Sequence, residues 1–321
     1  MHRVRWGFLA TLFLFSFDRA IAAEPYPVKP IRMIVGFAPG GGTDLTARPV
    51  AQKMSELLGQ QVIVENRPGA AGNIATEQVA RSAPDGYTLL MGTIAALAIN
   101  PSLYGNLRFD PETDLAPVIQ VVDATNVLAL HPSVPASSVK ELVALAKEKS
   151  LSAGSSGVGA TGHLAIELFN LMAGVKLIHV PYKGGGPAMT DLIGGQVQLI
   201  FATTASAIPH IKSGRIKGIA VTTAKRSSLL PELPTISEAG LAGFDANNWY
   251  GLVVPAKTPR AIIDQLNAEV RKVLAMPEVR TTLFNQGLDP APGTPEQFGA
   301  YIRSERVKWA KVIKESGAKA E

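Results

Sequence analysis

The sequence predicts an α/β fold in which mainly parallel sheets are flanked by helices. Two observations support this. Short apolar runs rich in β-branched residues alternate with amphipathic stretches of helical length, the order that builds βαβ units. The chain also has 321 residues, 46% of them hydrophobic, which is enough for about two domains with proper cores. Both disorder and a small disulfide-stapled scaffold are therefore excluded.

The first half of the chain opens with a strand at 30–37 and a helix at 43–58 whose apolar residues share one face before Gly59. The next predicted elements are strands at 61–65, 87–91, 118–122 and 126–130 and a helix at 73–81. Ser138 and Glu141 have the spacing of a capping box, so a further helix begins there.

The second half continues the alternation. Further strands are predicted at 176–181, 197–202, 216–222 and 250–254, with helices of comparable length between them. Two long amphipathic helices follow, at 259–276 and 295–316. Pro259 stands at the first helical position of one, and Thr294 with Gln297 forms a capping box at the other.

Residues 1–23 have the pattern of a secretory signal peptide. Two arginines precede an apolar run at 6–17, and the small residues at 20–23 offer a cleavage site. A membrane anchor is the alternative, but a span needs about 20 apolar residues, and Asp18 and Arg19 interrupt this run. We therefore expect cleavage and export to a bacterial periplasm.

The composition excludes several kinds of site. The chain has no cysteine, so it has no disulfide, thiolate metal site or cysteine nucleophile. Removing residues 1–23, which carry three arginines and one aspartate, lowers the formal charge from +5 to +3, and no basic run remains. We therefore expect no nucleic-acid partner. The remaining histidines lie at least 16 residues apart, so none forms a local metal-binding pair, and we expect neither metal nor cofactor.

Three glycine-rich loops carry the chemistry that the sequence offers, at 36–44, 154–163 and 180–187. Each is expected to join the end of a strand to the start of a helix. The first N–H groups of a helix have no partner within it and lie at the positive end of its dipole, so a helix start favours an anion. Glycine lets a ligand approach the backbone closely. One such loop is typical of an ordinary tight turn, whereas three at strand ends favour a shared site.

The second loop allows two other interpretations. Residues 157–162 match the dinucleotide fingerprint, but the next strand does not end in the acidic residue that the fingerprint needs. Ser155 or Ser156 could act as a nucleophile with His163 or His179 as its base. That arrangement would make the protein a secreted serine hydrolase acting on small esters, which we keep as the alternative. A hydroxyl that binds an anion is the simpler interpretation.

Seven motifs of the mature chain form a set. They are PIRMIVGFAPGGGTD at 30–44, VENRPGAAG at 64–72, PDGYTL at 84–89, GHLA at 162–165, VPYKG at 180–184, LPT with EAG at 233–240, and WYGL at 249–252. Together they closely resemble the Bug family of periplasmic solute receptors, also called the TctC-like or tripartite tricarboxylate receptor family. The resemblance covers essentially the whole mature chain.

The resemblance implies a two-domain periplasmic binding protein of the flytrap, type II-like class, which closes on a small organic acid without a cofactor and without catalysis. In that family the first loop and the loop after the Pro-Tyr-Lys-Gly motif hold a carboxylate, largely through backbone groups and bridging waters. The ligand-binding residues so implied are Phe37, Ala38, Gly40, Gly41, Thr43, Asp44, Thr93, Ser155, Ser156, Gly159, Thr161, His163, Pro181, Tyr182, Lys183, Gly184, Thr203 and Thr204. Relatives that bind amino-bearing ligands have an acidic residue near the last two positions. The hydroxyls here favour a simple carboxylic or aromatic acid.

We expect domain 1 to comprise 24–123 and 248–321, and domain 2 to comprise 124–247. The predicted function is that of a receptor, not an enzyme, which captures a small di- or tricarboxylic or aromatic acid between the domains. Its expected partners are the membrane subunits of a tripartite tricarboxylate-type transporter or a sensor domain. The expected form is a monomer.

Overall fold

The computed structural model describes residues 26–320, together with residue 2. The predicted signal peptide at 1–23 lies, apart from that one residue, outside the described part of the chain. Within that part, no helix combines the length and the hydrophobicity needed to cross a membrane.

The described residues form strands and helices in alternation. The strands are β1 Ile31–Val35, β2 Val62–Asn66, β3 Thr88–Thr93, β4 Leu115–Ala124, β5 Asn126–Leu130, β6 Ser152–Ser155, β7 Ile178–Pro181, β8 Leu199–Thr203, β9 Lys217–Val221, β10 Asn248–Pro255 and β11 Leu288–Pro290. The helices are α1 Gly42–Leu58, α2 Asn73–Ala80, α3 Asn100–Leu103, α4 Val139–Glu148, α5 Thr161–Ala173, α6 Gly185–Ile193, α7 Thr204–Lys212, α8 Arg260–Ala275, α9 Pro277–Asn285 and α10 Pro295–Ser316. A short 3-10 turn covers Ala70–Gly72, and a π-helical segment covers Ala95–Ile99.

The strands form two sheets, which confirms the predicted α/β fold. The first sheet has the order β11-β4-β10-β3-β1-β2, and the second has the order β7-β6-β8-β5-β9. Both sheets are mixed rather than mainly parallel. In each sheet, three strands that precede helices pair in parallel: β2 and β3 with β1, and β7 and β8 with β6. The remaining pairings, which involve β4, β5, β9, β10 and β11, are antiparallel.

The points at which the chain crosses between the sheets explain why β4 and β10 are antiparallel. The chain leaves the first sheet at the end of β4 and starts the second only two residues later, at Asn126. It returns at the start of β10, where Asn248 pairs with Ala124. A strand that leaves at a given point and a strand that enters there must run in opposite directions.

The core continues from one sheet to the other. One cluster of buried side chains includes Phe169 and Phe201 beside the second sheet and Trp249 and Phe298 beside the first. The rings of Trp249 and Phe298 meet edge to face, 5.4 Å apart. Helix α10 contacts β4 and also α5, and it adds Trp309 to the same cluster. The last helix of the chain therefore packs against both halves of the fold.

A second link between the halves is the contact of Thr204 with Gly287. The Thr204 hydroxyl donates to the carbonyl oxygens of Thr125, at 3.1 Å, and Gly287, at 3.0 Å. Gly287 has a φ of +74°, and a β-carbon on it would overlap the Thr204 hydroxyl.

We expect Gly287→Ala to lower the free energy of unfolding by about 2–4 kcal/mol, because alanine would add left-handed strain and a steric overlap. Urea denaturation measures this. Gly214→Ala is the control, because Gly214 also has a positive φ, of +72°, but has nothing within 4 Å of a β-carbon. It should cost only about 1–2 kcal/mol. Equal losses for the two variants would contradict the overlap.

Candidate functional site

A cavity of about 360 Å³ lies where the ends of strands from both sheets meet. Five strand-to-helix junctions line it: those that follow β1 and β3 in the first sheet, and β6, β7 and β8 in the second. Because these strands are parallel within each sheet, their carboxyl ends share one edge of that sheet. The cavity therefore lies against the starts of the helices that follow the strands.

Loop 1, residues 36–41, joins β1 to α1. Gly41 occupies the N-cap of α1 in an extended conformation and has no side chain to cap the helix. Gly40 has a φ of +82°, which favours glycine. The side chain of Tyr250 lies so close beneath Gly42 that a β-carbon there would be 2.7 Å from its hydroxyl. The first turn of α1 is thus placed against the cavity without a side-chain cap at Gly41.

Asp44 supports loop 1 and is not among the residues that line the cavity. Its carboxylate is 2% exposed and accepts hydrogen bonds from the Gly40 N–H at 2.9 Å, from Arg48 at 2.9 Å and from Asn66 at 3.0 Å. Burial alone would raise the pKa of Asp44, but these hydrogen bonds outweigh it and hold the pKa below its usual value. Asp44 is therefore ionised and fully engaged within the protein.

Tyr250 lines the cavity and contacts the first turn of α1. Its hydroxyl accepts a hydrogen bond from the Asn248 side chain at 3.1 Å. Burial raises the pKa of Tyr250 to about 12, against the smaller opposite effects of hydrogen bonds with Thr43 and Asn248. The phenol is neutral at physiological pH and fixes the first turn of α1 to strand β10.

Loop 2, residues 156–160, joins β6 to α5 and is held by two histidines. The Ser155 hydroxyl lies 2.6 Å from His179 Nε2 and accepts a hydrogen bond from the Gly157 N–H at 3.1 Å. The Gly159 N–H donates to His163 Nδ1 at 3.1 Å. The two imidazole rings stack at 4.1 Å. The two histidines therefore hold loop 2 in place through hydrogen bonds with Ser155 and Gly159.

The contact between Ser155 and His179 is the pair that the hydrolase alternative requires. Ser155 is only 2% exposed, and its hydroxyl is already shared with Gly157. Among the described residues, no carboxylate forms a hydrogen bond with His179; Glu167 lies instead near His163, at 3.6 Å. The pair therefore lacks the third group that orients the base in a hydrolytic triad. The geometry fits the support of a loop better than it fits nucleophilic catalysis.

Loop 3, residues 182–184, joins β7 to α6. The Tyr182 hydroxyl donates to Asp191 at 2.7 Å, and burial together with Asp191 raises the pKa of Tyr182 to about 12. Gly184 occupies the N-cap with a φ of +132°. A β-carbon at Gly185 or Gly186 would meet nothing within 4 Å, so the backbone at the start of α6 is open.

The lining of the cavity is almost uncharged. Lys183 carries the only charge among the described residues that line it. The part of the chain covered by the structure contains no cluster of three histidine, aspartate or glutamate side chains that could hold a metal ion. The arrangement is therefore suited to a small anion held by N–H and hydroxyl groups, with one lysine at the rim.

Most residues implied by the resemblance line the cavity: Phe37, Ala38, Gly40, Gly41, Thr43, Thr93, Ser155, Ser156, Thr161, Lys183, Gly184 and Thr203. Those that do not line it are Asp44, Gly159, His163, Pro181, Tyr182 and Thr204. Asp44, His163 and Tyr182 bond to the loops or helices instead, and Thr204 bonds across the two halves.

Sequence reasoning missed four polar residues of the lining: Asn126, Ser206, Asn248 and Tyr250. Asn126 and Asn248 each begin a strand whose residues are all buried, at the two crossings between the sheets. A polar residue at the start of an apolar strand is the signal that could have indicated them.

Comparison with known proteins agrees with this architecture. Residues 46–318 match the model of the TctC family, described as the tripartite tricarboxylate transporter family receptor. The chain belongs to this family. It is 38% identical over 302 residues to Protein BugT of Bordetella pertussis, an alignment that covers 93% of each chain.

Two solved structures similar to this chain contain carboxylic acids. The structure of R. palustris Rpa4515 with adipate has a TM-score of 0.88 and 38% identity, and the match covers 92% of this chain and 99% of that one. The structure of MatC from Rhodopseudomonas palustris with bound malate has a TM-score of 0.84 and 31% identity, covering 90% and 100%. These similarities confirm the predicted family and fold, and they give the hydrolase alternative no support.

The histidine pair predicts a pH dependence of stability. Burial and the neighbouring His163 lower the pKa of His179 from 6.5 to about 4. Between these values the unfolded chain binds the proton more readily, so the contribution of His179 is present above about pH 6.5 and is lost as the pH falls towards 4. The stability advantage of the wild type over His179→Gln should therefore shrink over this range. Urea denaturation of both proteins at several pH values tests this, and a constant or growing difference would contradict it.

Proposed function

We propose that this TctC-family receptor captures a small carboxylate in the cavity and delivers it to the membrane subunits of a transporter or to a sensor domain. One observation carries the proposal: five strand-to-helix junctions from two sheets surround one cavity with a nearly uncharged lining. A carboxylate that leaves water must keep its hydrogen bonds, and N–H groups at helix starts replace them without a buried counter-charge.

The proposed binding residues are those of the implied set that line the cavity, together with Gly185 and Gly186 at the start of α6. We assign residues 24–123 and 248–321 to one domain and 124–247 to the other. The crossings at Asn126 and Asn248 support this division. Because the loops belong to both domains, a ligand makes all its contacts only when the domains are close together, so binding shifts the equilibrium towards closure.

Similar proteins support the class of ligand. Adipate and malate, bound by the two relatives described above, are both small carboxylic acids. The hydroxyls of Thr203 and Ser206, at the start of α7, are neutral and favour an acid without an amino group. We further propose that the protein acts as a monomer in the periplasm after cleavage of residues 1–23.

We expect at least one acid from a panel of mono-, di- and tricarboxylates and aromatic acids to raise the melting temperature of the mature protein by several degrees. A ligand at 100 times its dissociation constant adds about 2.7 kcal/mol to the stability of the state that binds it. The measurement is a thermal-shift assay on protein refolded to remove any ligand carried from the host. If no acid changes the melting temperature, the proposal is wrong.

Gly186→Ala separates binding from folding. Because nothing lies within 4 Å of the new methyl group, and alanine favours a helix over glycine, the free protein should be as stable as the wild type or up to about 1 kcal/mol more stable. The methyl group would obstruct the backbone that lines the cavity, so the affinity for the acid should fall about tenfold, equivalent to roughly 1.4 kcal/mol.

Thr190→Ala is the matched control, because Thr190 is an exposed residue of the same helix that does not line the cavity. Isothermal titration calorimetry should find its affinity unchanged. Equal affinities for wild type and Gly186→Ala would exclude the start of α6 from the binding site.

A further inference from the structure

Asn126 is the most unusual polar residue of the cavity. It opens β5, immediately after the first crossing between the sheets, and is 1% exposed. Both polar atoms of its side chain, Nδ2 and Oδ1, are buried and have no hydrogen-bond partner among the described residues. Several other described residues have one such unpaired atom, but Asn126 alone among these residues lines the cavity.

The position of Asn126 is fixed by its backbone rather than by its side chain. Its carbonyl oxygen accepts a hydrogen bond from the Thr222 N–H at 2.9 Å, and it pairs with Thr203 in the ladder between β5 and β8. Because β5 is antiparallel to β8, the start of β5 lies at the same edge of the sheet as the end of β8, which leads into the cavity. The side-chain amide of Asn126 therefore lies at this edge of the sheet without a hydrogen bond to the described residues.

An unpaired buried amide costs stability, because both its donor and its acceptor lose their hydrogen bonds to water. Each of the other buried asparagines among the described residues uses at least one side-chain atom in a hydrogen bond. The side chain of Asn248 donates to Tyr250 at 3.1 Å, and that of Asn267 donates to the carbonyl oxygens of Val118, at 2.8 Å, and Gly293, at 2.9 Å. Asn126 therefore differs from these asparagines in having no side-chain hydrogen bond, and it lines the cavity in which the proposed function places a ligand.

We propose that Asn126 determines specificity by pairing with an uncharged group of the ligand that both donates and accepts a hydrogen bond. This inference rests on the proposed function. A second carboxylate only accepts hydrogen bonds, so it would pair with Nδ2 and leave Oδ1 facing a negative charge. A methyl group would form a hydrogen bond with neither atom. A hydroxyl or a primary carboxamide can donate to Oδ1 and accept from Nδ2. The substrate class is then a carboxylic acid that also carries a hydroxyl or carboxamide group.

The charge of the lining supports this class. The one charged residue among the described residues of the lining, Lys183, belongs to loop 3, whereas Asn126 lies beside the neutral hydroxyls of Thr203 and Ser206. The lining therefore offers one cation, at loop 3, and neutral hydrogen-bonding side chains beside Asn126. The argument holds for either orientation of the amide, because both of its atoms lack a partner.

The test uses two matched sets of acids, of four and of six carbons. Each set contains the plain monocarboxylate, the dicarboxylate, the half-amide of the dicarboxylate and the ω-hydroxy acid. Isothermal titration calorimetry on the mature protein should find the half-amide or the hydroxy acid of one set bound about tenfold more tightly than the other two members, as two added neutral hydrogen bonds predict.

Asn126→Leu should abolish this preference, because leucine has a similar size but no polar atoms. The affinity for the preferred acid should fall about tenfold, while that for the plain monocarboxylate stays the same or rises. Since Asn126 has no partner to lose, urea denaturation should find the ligand-free variant as stable as the wild type or more so. Asn267→Leu is the control: it should lower stability, because it leaves Val118 and Gly293 unpaired, and it should leave the preference unchanged.

The outcomes distinguish this inference from the proposed function. If acids bind but the dicarboxylate is preferred, or if Asn126→Leu keeps the wild-type order of affinities, the role of Asn126 is wrong and the receptor function stands. A loss of stability in Asn126→Leu as large as that in Asn267→Leu would show a structural role and would also overturn the inference. If no acid of either set or of the wider panel binds, the proposed function itself fails.

Discussion

The direction of the strands is the constraint on which the rest of this structure depends. A parallel strand must be followed by a connection that returns the chain to the opposite edge of the sheet, and here that connection is a helix. Strands β6, β7 and β8 are mutually aligned, so α5, α6 and α7 all begin at one edge. Their unpaired backbone donors are concentrated there as a geometric necessity. The glycines at the starts of α1 and α6 then leave part of the backbone there uncovered by side chains.

The sequence was sufficient for the parts that depend on local chemistry. The capping box of Thr294 and Gln297 is present, and Ser138 caps α4 as predicted, although Glu141 bonds to the N–H of Ser137 rather than to that of Ser138. Strand β6 could not be recognised, because its Ser-Ala-Gly-Ser sequence contains no β-branched residue. Its burial comes from neighbouring strands on both sides, a tertiary property that local propensity does not contain.

The predicted site residues that do not line the cavity have a common feature. A loop sequence shows which residue types stand near a helix start, but not whether a side chain faces the cavity or the protein behind it. Asp44, His163 and Tyr182 were predicted to bind the ligand; they do not line the cavity, and each forms hydrogen bonds that hold a loop or a helix. Asn126 and Asn248 were missed because they are distant in sequence from every glycine-rich loop. Only the crossings of the chain bring them to the cavity.

Helix α10 connects the two halves of the molecule through the hydrophobic core. It lies at the end of the chain, after the strands of the first sheet, yet its Trp309 belongs to a hydrophobic cluster that also contains Phe169 beside the second sheet. The two halves therefore share this cluster, in addition to a separate hydrophobic cluster that lies within each half. A movement of one half relative to the other would therefore change the packing of Trp309 and its neighbours in this shared cluster.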